Sequence, residues 1–320
     1  MYDYFMEKLV WQMFILGCDN LDLALQKGLG GIIFFTKDIQ TETQFKNLIT
    51  EIKTKAIIPP FLSIDQEGGR VERTENIRPK RLSARQAYEK SKDYLKTQAE
   101  EISKELNSFG INLNFAPRID VNTNPLNPII GERAFSNNPQ EVIEGMDIFI
   151  NASRKFNIIP CAKHYPGHGD ADKDSHLTLP KIDLSLAKMK EIHIAPFKKA
   201  IENNIEMIMA AHLHCTCFDR DVIPASLSKN AIGYLRENLK YNGVIISDDM
   251  FMQGVQDYGS LEAIIMGLKA GLDMFIFRNS DAKTLNTIEE LCEIVEKDTD
   301  LQKRVIESNK RISRLKEMYL

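Results

Sequence analysis

The densest chemistry in the sequence lies between Lys163 and His176, in Lys-His-Tyr-Pro-Gly-His-Gly-Asp-Ala-Asp-Lys-Asp-Ser-His. Three of the chain's six histidines fall there, with three aspartates and two glycines. Asp174 and His176 are two apart, so in an extended segment both side chains project to the same side. A carboxylate beside an imidazole favours the charged ring and orients it. Such a pair would serve as a general acid/base near neutral pH, or form a loop hydrogen bond of structural meaning only. His164 and His168 have the four-residue spacing of a helical zinc pair, but Pro166-Gly167 between them opposes a helix. Ser175 between Asp174 and His176 suggests a serine triad by composition alone, because adjacent residues rarely face one another.

Two further segments could join this one. The apolar run Val244-Ile-Ile246 leads into Ser247-Asp248-Asp249-Met250. A carboxylate leaving such a run is costly unless it meets a polar cleft. Asp248 is therefore a candidate nucleophile or electrostatic stabiliser, and Asp249 is either a second member of that site or a solvated neighbour. In Ile64-Asp-Gln-Glu-Gly-Gly-Arg-Val-Glu-Arg73, Gly68-Gly69 permits a sharp turn that lets Asp65 and Arg73 converge on a polar ligand. Arg133 and Lys163 add cationic donors, and charge-assisted hydrogen bonds suit recognition of a polyol. The plainer reading of Arg70 and Arg73 is a surface ion pair with Glu67 or Glu72, worth little.

Positioning these residues requires strands that end where the chemistry begins. Seven short apolar runs recur: 31–35, 60–65, 111–116, 158–163, 207–212, 243–248 and 273–277. Phe14-Ile-Leu-Gly17 is a weak eighth. Helical patterns such as Gln140–Phe156, Leu186–Asn203 and Ser228–Leu239 alternate with them, the sequence form of a parallel sheet. Asp65, Lys163, His164, His212, Asp248 and Asp249 all fall at or just past the C-terminal ends of these runs, the edge that carries the active site of a barrel. The expected fold is α/β, a single (β/α)8-type TIM barrel over 1–320, of regular or irregular form. The charged helical stretch from Thr284 is expected to pack outside it.

Composition narrows the partners. Forty-one basic and 45 acidic residues leave a net charge of −4, which gives no electrostatic reason for nucleic acid or an anionic membrane. The five cysteines are scattered and odd in number, pointing to reduced thiols in the cytoplasm. The N-terminus lacks the basic segment of a secretory signal, and no apolar run reaches the length of a membrane span.

The ordered motifs Lys-His-Tyr-Pro-Gly-His-Gly with Asp-Ser-His, Ile-Asp-Gln-Glu-Gly-Gly-Arg, Ile-Gly-Glu-Arg, Phe-Ala-Pro-x-x-Asp-Val, Pro-Ala-Ser-Leu-Ser, Ser-Asp-Asp-Met and Ala-Gly-Leu-Asp-Met resemble glycoside hydrolase family 3 β-N-acetylglucosaminidases of bacterial peptidoglycan recycling. The resemblance runs from about Gly30 to Phe277. It implies Asp248 as nucleophile, His176 with Asp174 as acid/base, and Asp65, Arg73, Arg133, Lys163 and His164 as sugar-binding residues. It also implies a cofactor-free, metal-free, monomeric enzyme that releases N-acetylglucosamine from muropeptide fragments by double displacement. His214, in Ala211-His-Leu-His214, departs from the expected pattern. Alternatives are phosphorolysis by the same site, a metal-dependent amidohydrolase using His212 and His214, and a sugar-binding protein on an inactive barrel.

Overall fold

A computed structural model describes residues 2–171 and 179–320. Asp174 and His176 lie outside the described residues. Eight parallel strands build a barrel: β1 (Phe14–Leu16), β2 (Gly31–Phe34), β3 (Phe61–Ile64), β4 (Leu113–Asn114), β5 (Ile159–Tyr165), β7 (Met207–Ala210), β9 (Val244–Asp249) and β10 (Met274–Phe277). Two short strands, β6 (Lys181–Ile182) and β8 (His214–Cys215), pair with each other in a separate parallel sheet. The barrel closes in the order β1-β10-β9-β7-β5-β4-β3-β2. Its strands begin as apolar runs because inner side chains and the surrounding helices bury both faces, and β5 and β9 turn polar toward their C-terminal ends. All residues of β2, β3, β5, β7 and β10 are buried. No described helix is long and apolar enough to cross a membrane.

The eighth run, Phe14–Leu16, takes its place between β10 and β2. The run over 111–116 forms a ladder only at Leu113 and Asn114. Beyond it the Asn114 side chain takes over the pairing, accepting from the Gln66 amide at 2.9 Å and donating to the Gln66 carbonyl at 3.0 Å. Pro117 has no N–H to give, but contact with β5 resumes past it, where the Lys163 amide donates to the Pro117 carbonyl at 3.3 Å and Arg118 bridges Lys163.

The helical stretch predicted over Leu186–Asn203 divides into Leu186–Glu191 and Ile194–Glu202. Pro196 explains the break, since in a continuous helix its ring would meet the Ile192 carbonyl. The final stretch likewise forms two helices, Ala282–Lys297 and Thr299–Tyr319, with Asp298 capping the second through the amides of Asp300 and Leu301. This last helix packs outside the strands and across the N-terminal end of the barrel. There Lys316 donates to Gln12 Oε1 at 2.7 Å and to the Pro59 carbonyl at 2.8 Å.

Candidate active site

The strands deliver their polar ends to one pocket of about 480 Å³ at the C-terminal end of the barrel. Asp65 follows β3, Lys163 and His164 lie within β5, and Asp248 and Asp249 close β9. Arg73 arrives by a turn in which Gly68 and Gly69 adopt φ of +94° and +61°, a region L side chains avoid. Of the residues expected at a sugar site, Asp65, Arg73, Arg133, Lys163, His164 and Asp248 all line this pocket. The expected acid/base pair, Asp174 and His176, falls outside the described residues.

Glu67 organises the floor. Its carboxylate takes Arg133 in a bidentate grip, 3.0 Å from Nε and 2.7 Å from Nη2. The same group lies 2.8 Å from Lys163 Nζ and 3.5 Å from Arg118 Nε. Burial alone would raise its pKa, but Arg133, Lys163 and Arg118 hold it well below the usual carboxylate range. Lys163 also donates to Asp65 Oδ1 at 2.6 Å. Against its burial, Asp65 and Glu67 raise its pKa, so it stays charged. Arg73 is 4.0 Å from Asp65, and its guanidinium lies 5.6 Å from the centre of the Phe35 ring. Among the described residues, the surface pairs considered for Arg70 and Arg73 are replaced by other partners. Glu67 belongs to Arg133 and Lys163, Glu72 pairs with Arg81 at 3.0 Å, and Arg70 donates to the Pro128 carbonyl at 3.1 Å.

His164 is oriented by Asp120, whose Oδ2 lies 2.8 Å from Nδ1. A proton on Nδ1 leaves Nε2 as the free atom of the ring. Asp120 Oδ1 also accepts the His168 amide at 2.6 Å. Gly169 lets this segment lie against the one that carries Asp120, because a Cβ would sit 1.6 Å from the Val121 carbonyl oxygen. The peptide bond between Lys163 and His164 is cis. His168 lines the pocket, and burial lowers its pKa to about 4, so the ring is neutral.

Asp248 differs from these paired groups. Among the described residues its carboxylate forms no ion pair, and it accepts the Asp249 amide at 2.8 Å. Burial favours its neutral form, but His164, His212, the Asp249 amide and Lys163 together lower its pKa. Among the described residues it is thus an ionised carboxylate whose bond to the Asp249 amide leaves an oxygen open to a ligand. His212 stands behind it, held through Nδ1 to Ser226 Oγ at 2.7 Å.

Sequence reading missed Glu67 and Asp120 as site residues, although both lie in the quoted motifs. Their partners are 44 to 96 positions away, and only the barrel brings them together. His214 has a structural role. Its amide donates to the Pro180 carbonyl at 2.8 Å and its Nδ1 lies 3.3 Å from the Ile223 carbonyl. Among the described residues no three His, Cys, Asp or Glu side chains cluster as a metal site. The donor set gives the amidohydrolase reading no support.

Known proteins show the same arrangement of chain. β-Hexosaminidase A of Pseudoalteromonas piscicida is 33% identical, over 92% of this chain and 54% of that protein. The β-hexosaminidase of Idiomarina loihiensis is 30% identical, over 94% of this chain and 89% of that protein. A glycoside hydrolase family 3 β-N-acetylglucosaminidase from Paenibacillus superposes with a TM-score of 0.90 at 30% identity, covering 97% of this chain and 62% of that one. The chain thus spans about half to nine tenths of the length of these relatives. The pattern of the glycosyl hydrolase family 3 N-terminal domain matches residues 18–315, and the chain belongs to that family.

Proposed function

We propose that the protein is a retaining exo-β-N-acetylglucosaminidase that works as a single barrel domain over 1–320. Asp248 attacks the anomeric carbon and forms a covalent glycosyl-enzyme through an oxocarbenium-like transition state. The observation that carries this reading is the contrast within the pocket. Asp65, Lys163, Arg133 and His164 are oriented by neighbouring charged groups, whereas Asp248 is ionised and has no ion-pair partner among the described residues. A nucleophile needs a free lone pair, and sugar-binding groups need fixed directions. Relatives named β-hexosaminidase and β-N-acetylglucosaminidase support an N-acetylhexosaminide as substrate.

His176, oriented by Asp174, donates a proton to the departing oxygen and later takes one from water. Muropeptide fragments in the cytoplasm are the natural substrate class and the monomer is the working form. Five free thiols suit a reducing compartment.

The test is turnover of 4-nitrophenyl N-acetyl-β-glucosaminide against the matching glucoside, with and without phosphate. Preference for the acetamido sugar, release of free N-acetylglucosamine and indifference to phosphate are expected. A phosphate requirement would replace hydrolysis by phosphorolysis, and equal rates on both sugars would remove the acetamido assignment. His176→Ala should cost about 10²- to 10⁴-fold on a disaccharide and less on the aryl substrate, whose leaving group needs little protonation. Equal losses on both would contradict the acid role.

A further inference from the structure

Two of the five cysteines, Cys215 and Cys217, stand two positions apart beyond the end of β7. Cys215 closes β8, is buried and pairs with Ile182 of β6. Its carbonyl accepts the amides of Phe218 at 3.1 Å and Asp219 at 3.3 Å. The chain therefore turns back over Cys215, and Cys217 lies inside that turn, half-buried. The turn is pinned on both sides. The Thr216 amide donates to the Ile182 carbonyl at 3.1 Å, and Asn230 Nδ2 donates to the Phe218 carbonyl at 3.1 Å and to Asp219 Oδ1 at 2.8 Å. Within it the two thiols share a hydrogen bond.

That bond gives the two sulfurs different chemistry. The Cys215 thiol holds the Cys217 thiol below its ordinary range, while the same bond, with burial, pushes Cys215 well above it. Cys217 thus carries more thiolate at neutral pH than an ordinary cysteine, and the thiolate is the reactive form. The other three cysteines go the opposite way. Burial leads in pushing Cys18 and Cys292 up to about 12, and it raises Cys161 as well. The pair is also close enough to bond. Cα atoms two residues apart lie within about 7 Å of each other even in an extended chain, a turn shortens that span, and a disulfide bridges roughly 4.4–6.8 Å. A half-buried thiolate beside a resolving thiol is the arrangement that reacts with hydroperoxides.

We infer that Cys215 and Cys217 form a reversible modification site for hydroperoxides, Cys217 attacking and Cys215 resolving. The Cys217 thiolate attacks the peroxide: an S–O bond forms, the O–O bond breaks, and the alkoxide or hydroxide leaves with the proton that Cys217 gave up. The Cys215 sulfur then attacks the resulting sulfenic acid: the S–S bond forms, the S–O bond breaks, and hydroxide leaves as water with the Cys215 proton. Two thiols are oxidised to one disulfide, and one hydroperoxide is reduced by two electrons to an alcohol, or to water, and a further water. A small dithiol reverses the step by exchange. Neither cysteine lines the pocket that holds Asp248, so the site stands apart from the glycosidase reading and does not depend on it.

The test treats the reduced full chain with one equivalent of hydrogen peroxide, blocks remaining thiols by alkylation in denaturant, and maps the peptides by mass spectrometry. The peptide that holds both cysteines should lose two hydrogens and regain them with dithiothreitol, while Cys18, Cys161 and Cys292 still alkylate. Cys215→Ser should stop at the sulfenic acid, which dimedone captures on Cys217. Cys217→Ser should lose the peroxide-dependent mass change. Oxidation that falls first on Cys18, Cys161 or Cys292 would overturn the inference. So would Cys217 passing directly to sulfinic acid while Cys215 still alkylates, or dimedone labelling Cys215 in Cys217→Ser as fast as it labels Cys217 in Cys215→Ser. The mapping of the unaltered chain decides the matter even if a variant fails to fold.

Discussion

The two ends of the barrel each hold a buried carboxylate ringed by cations, and they use the arrangement differently. At the N-terminal end, Asp273 just before β10 is fully buried. It pairs with Arg236, with Arg311 at 3.2 Å and with Arg304 at 3.7 Å, and it accepts from Ser308 Oγ and the Ile245 amide. The other donors of Arg236 go to the carbonyls of Tyr241, Gly243 and Gly271, and those of Arg304 to the carbonyls of Leu268 and Leu272, to Glu307 and to Ser308 Oγ. Together these bonds tie strand, loop and last helix to one another. At the C-terminal end, Glu67 gathers Arg118, Arg133 and Lys163 in the same way, but Arg133 and Lys163 also line the pocket. A buried ion cluster is therefore structural or functional according to where the remaining donors of its cations point.

The comparison breaks most visibly at Asp273. Asp273→Asn leaves three arginines around a neutral group, and removing one partner of a buried cluster typically costs about 3–5 kcal/mol. Chemical denaturation should show that loss, while kcat/KM of the folded fraction stays near its original value. A large kinetic defect with little loss of stability would erase the distinction between the two ends. The complementary change is Glu67→Gln, which keeps the shape and removes the charge that orients Arg133 and Lys163. Misplaced binding groups can cost about 10²-fold. KM should rise and kcat should fall, because these contacts serve ground and transition states alike. Kinetics unaffected by Glu67→Gln would make this cluster structural too.

Asp249 is the intermediate case, a carboxylate with one weakly held cation. Its pKa of about 6 is set first by burial, with Asp248 adding and the Phe251 amide and Arg278 opposing. In the unfolded chain an aspartate titrates near 3.9. Between about pH 4 and 6 the folded protein holds the proton more tightly, so stability falls as pH rises through that window and stays lower above it. A tenfold difference in proton affinity between the two states is worth about 1.4 kcal/mol. Asp249→Asn should accordingly stabilise the protein at pH 8 by roughly 1–2 kcal/mol and change little at pH 4. The same difference at both pH values would show that the carboxyl group does not titrate in the folded state.

Much of this design can be read from the sequence where it depends on local pattern. Apolar runs ending in Asp65, Lys163 and Asp248 give strands and their active edge, because strand burial and strand ends are properties of neighbouring residues. The weak run Phe14–Leu16 counts as a strand only because barrel closure needs a partner between β10 and β2. The split at Pro196 is open to a local argument, since a proline inside a helical pattern already marks a break. The ion clusters are not, because Glu67 meets Arg133 and Lys163 across 66 and 96 positions, and Asp120 meets His164 across 44. Charged residues at such separations look alike whether they end on a surface or in a cluster. The division of labour between Glu67 and Asp273 emerges only once the two ends of the barrel exist.

The most direct test of the account concerns Asp248, the pocket carboxylate that forms no ion pair among the described residues. A 2-acetamido-2-deoxy-5-fluoro glycosyl fluoride should trap the glycosyl-enzyme, and peptide mapping by mass spectrometry should place the added sugar on Asp248. Asp248→Asn should fold with an unchanged thermal midpoint, take no label and lose nearly all turnover. Label on another carboxylate, or substantial hydrolysis by Asp248→Asn, would contradict the assignment of the nucleophile and with it the functional reading of the pocket.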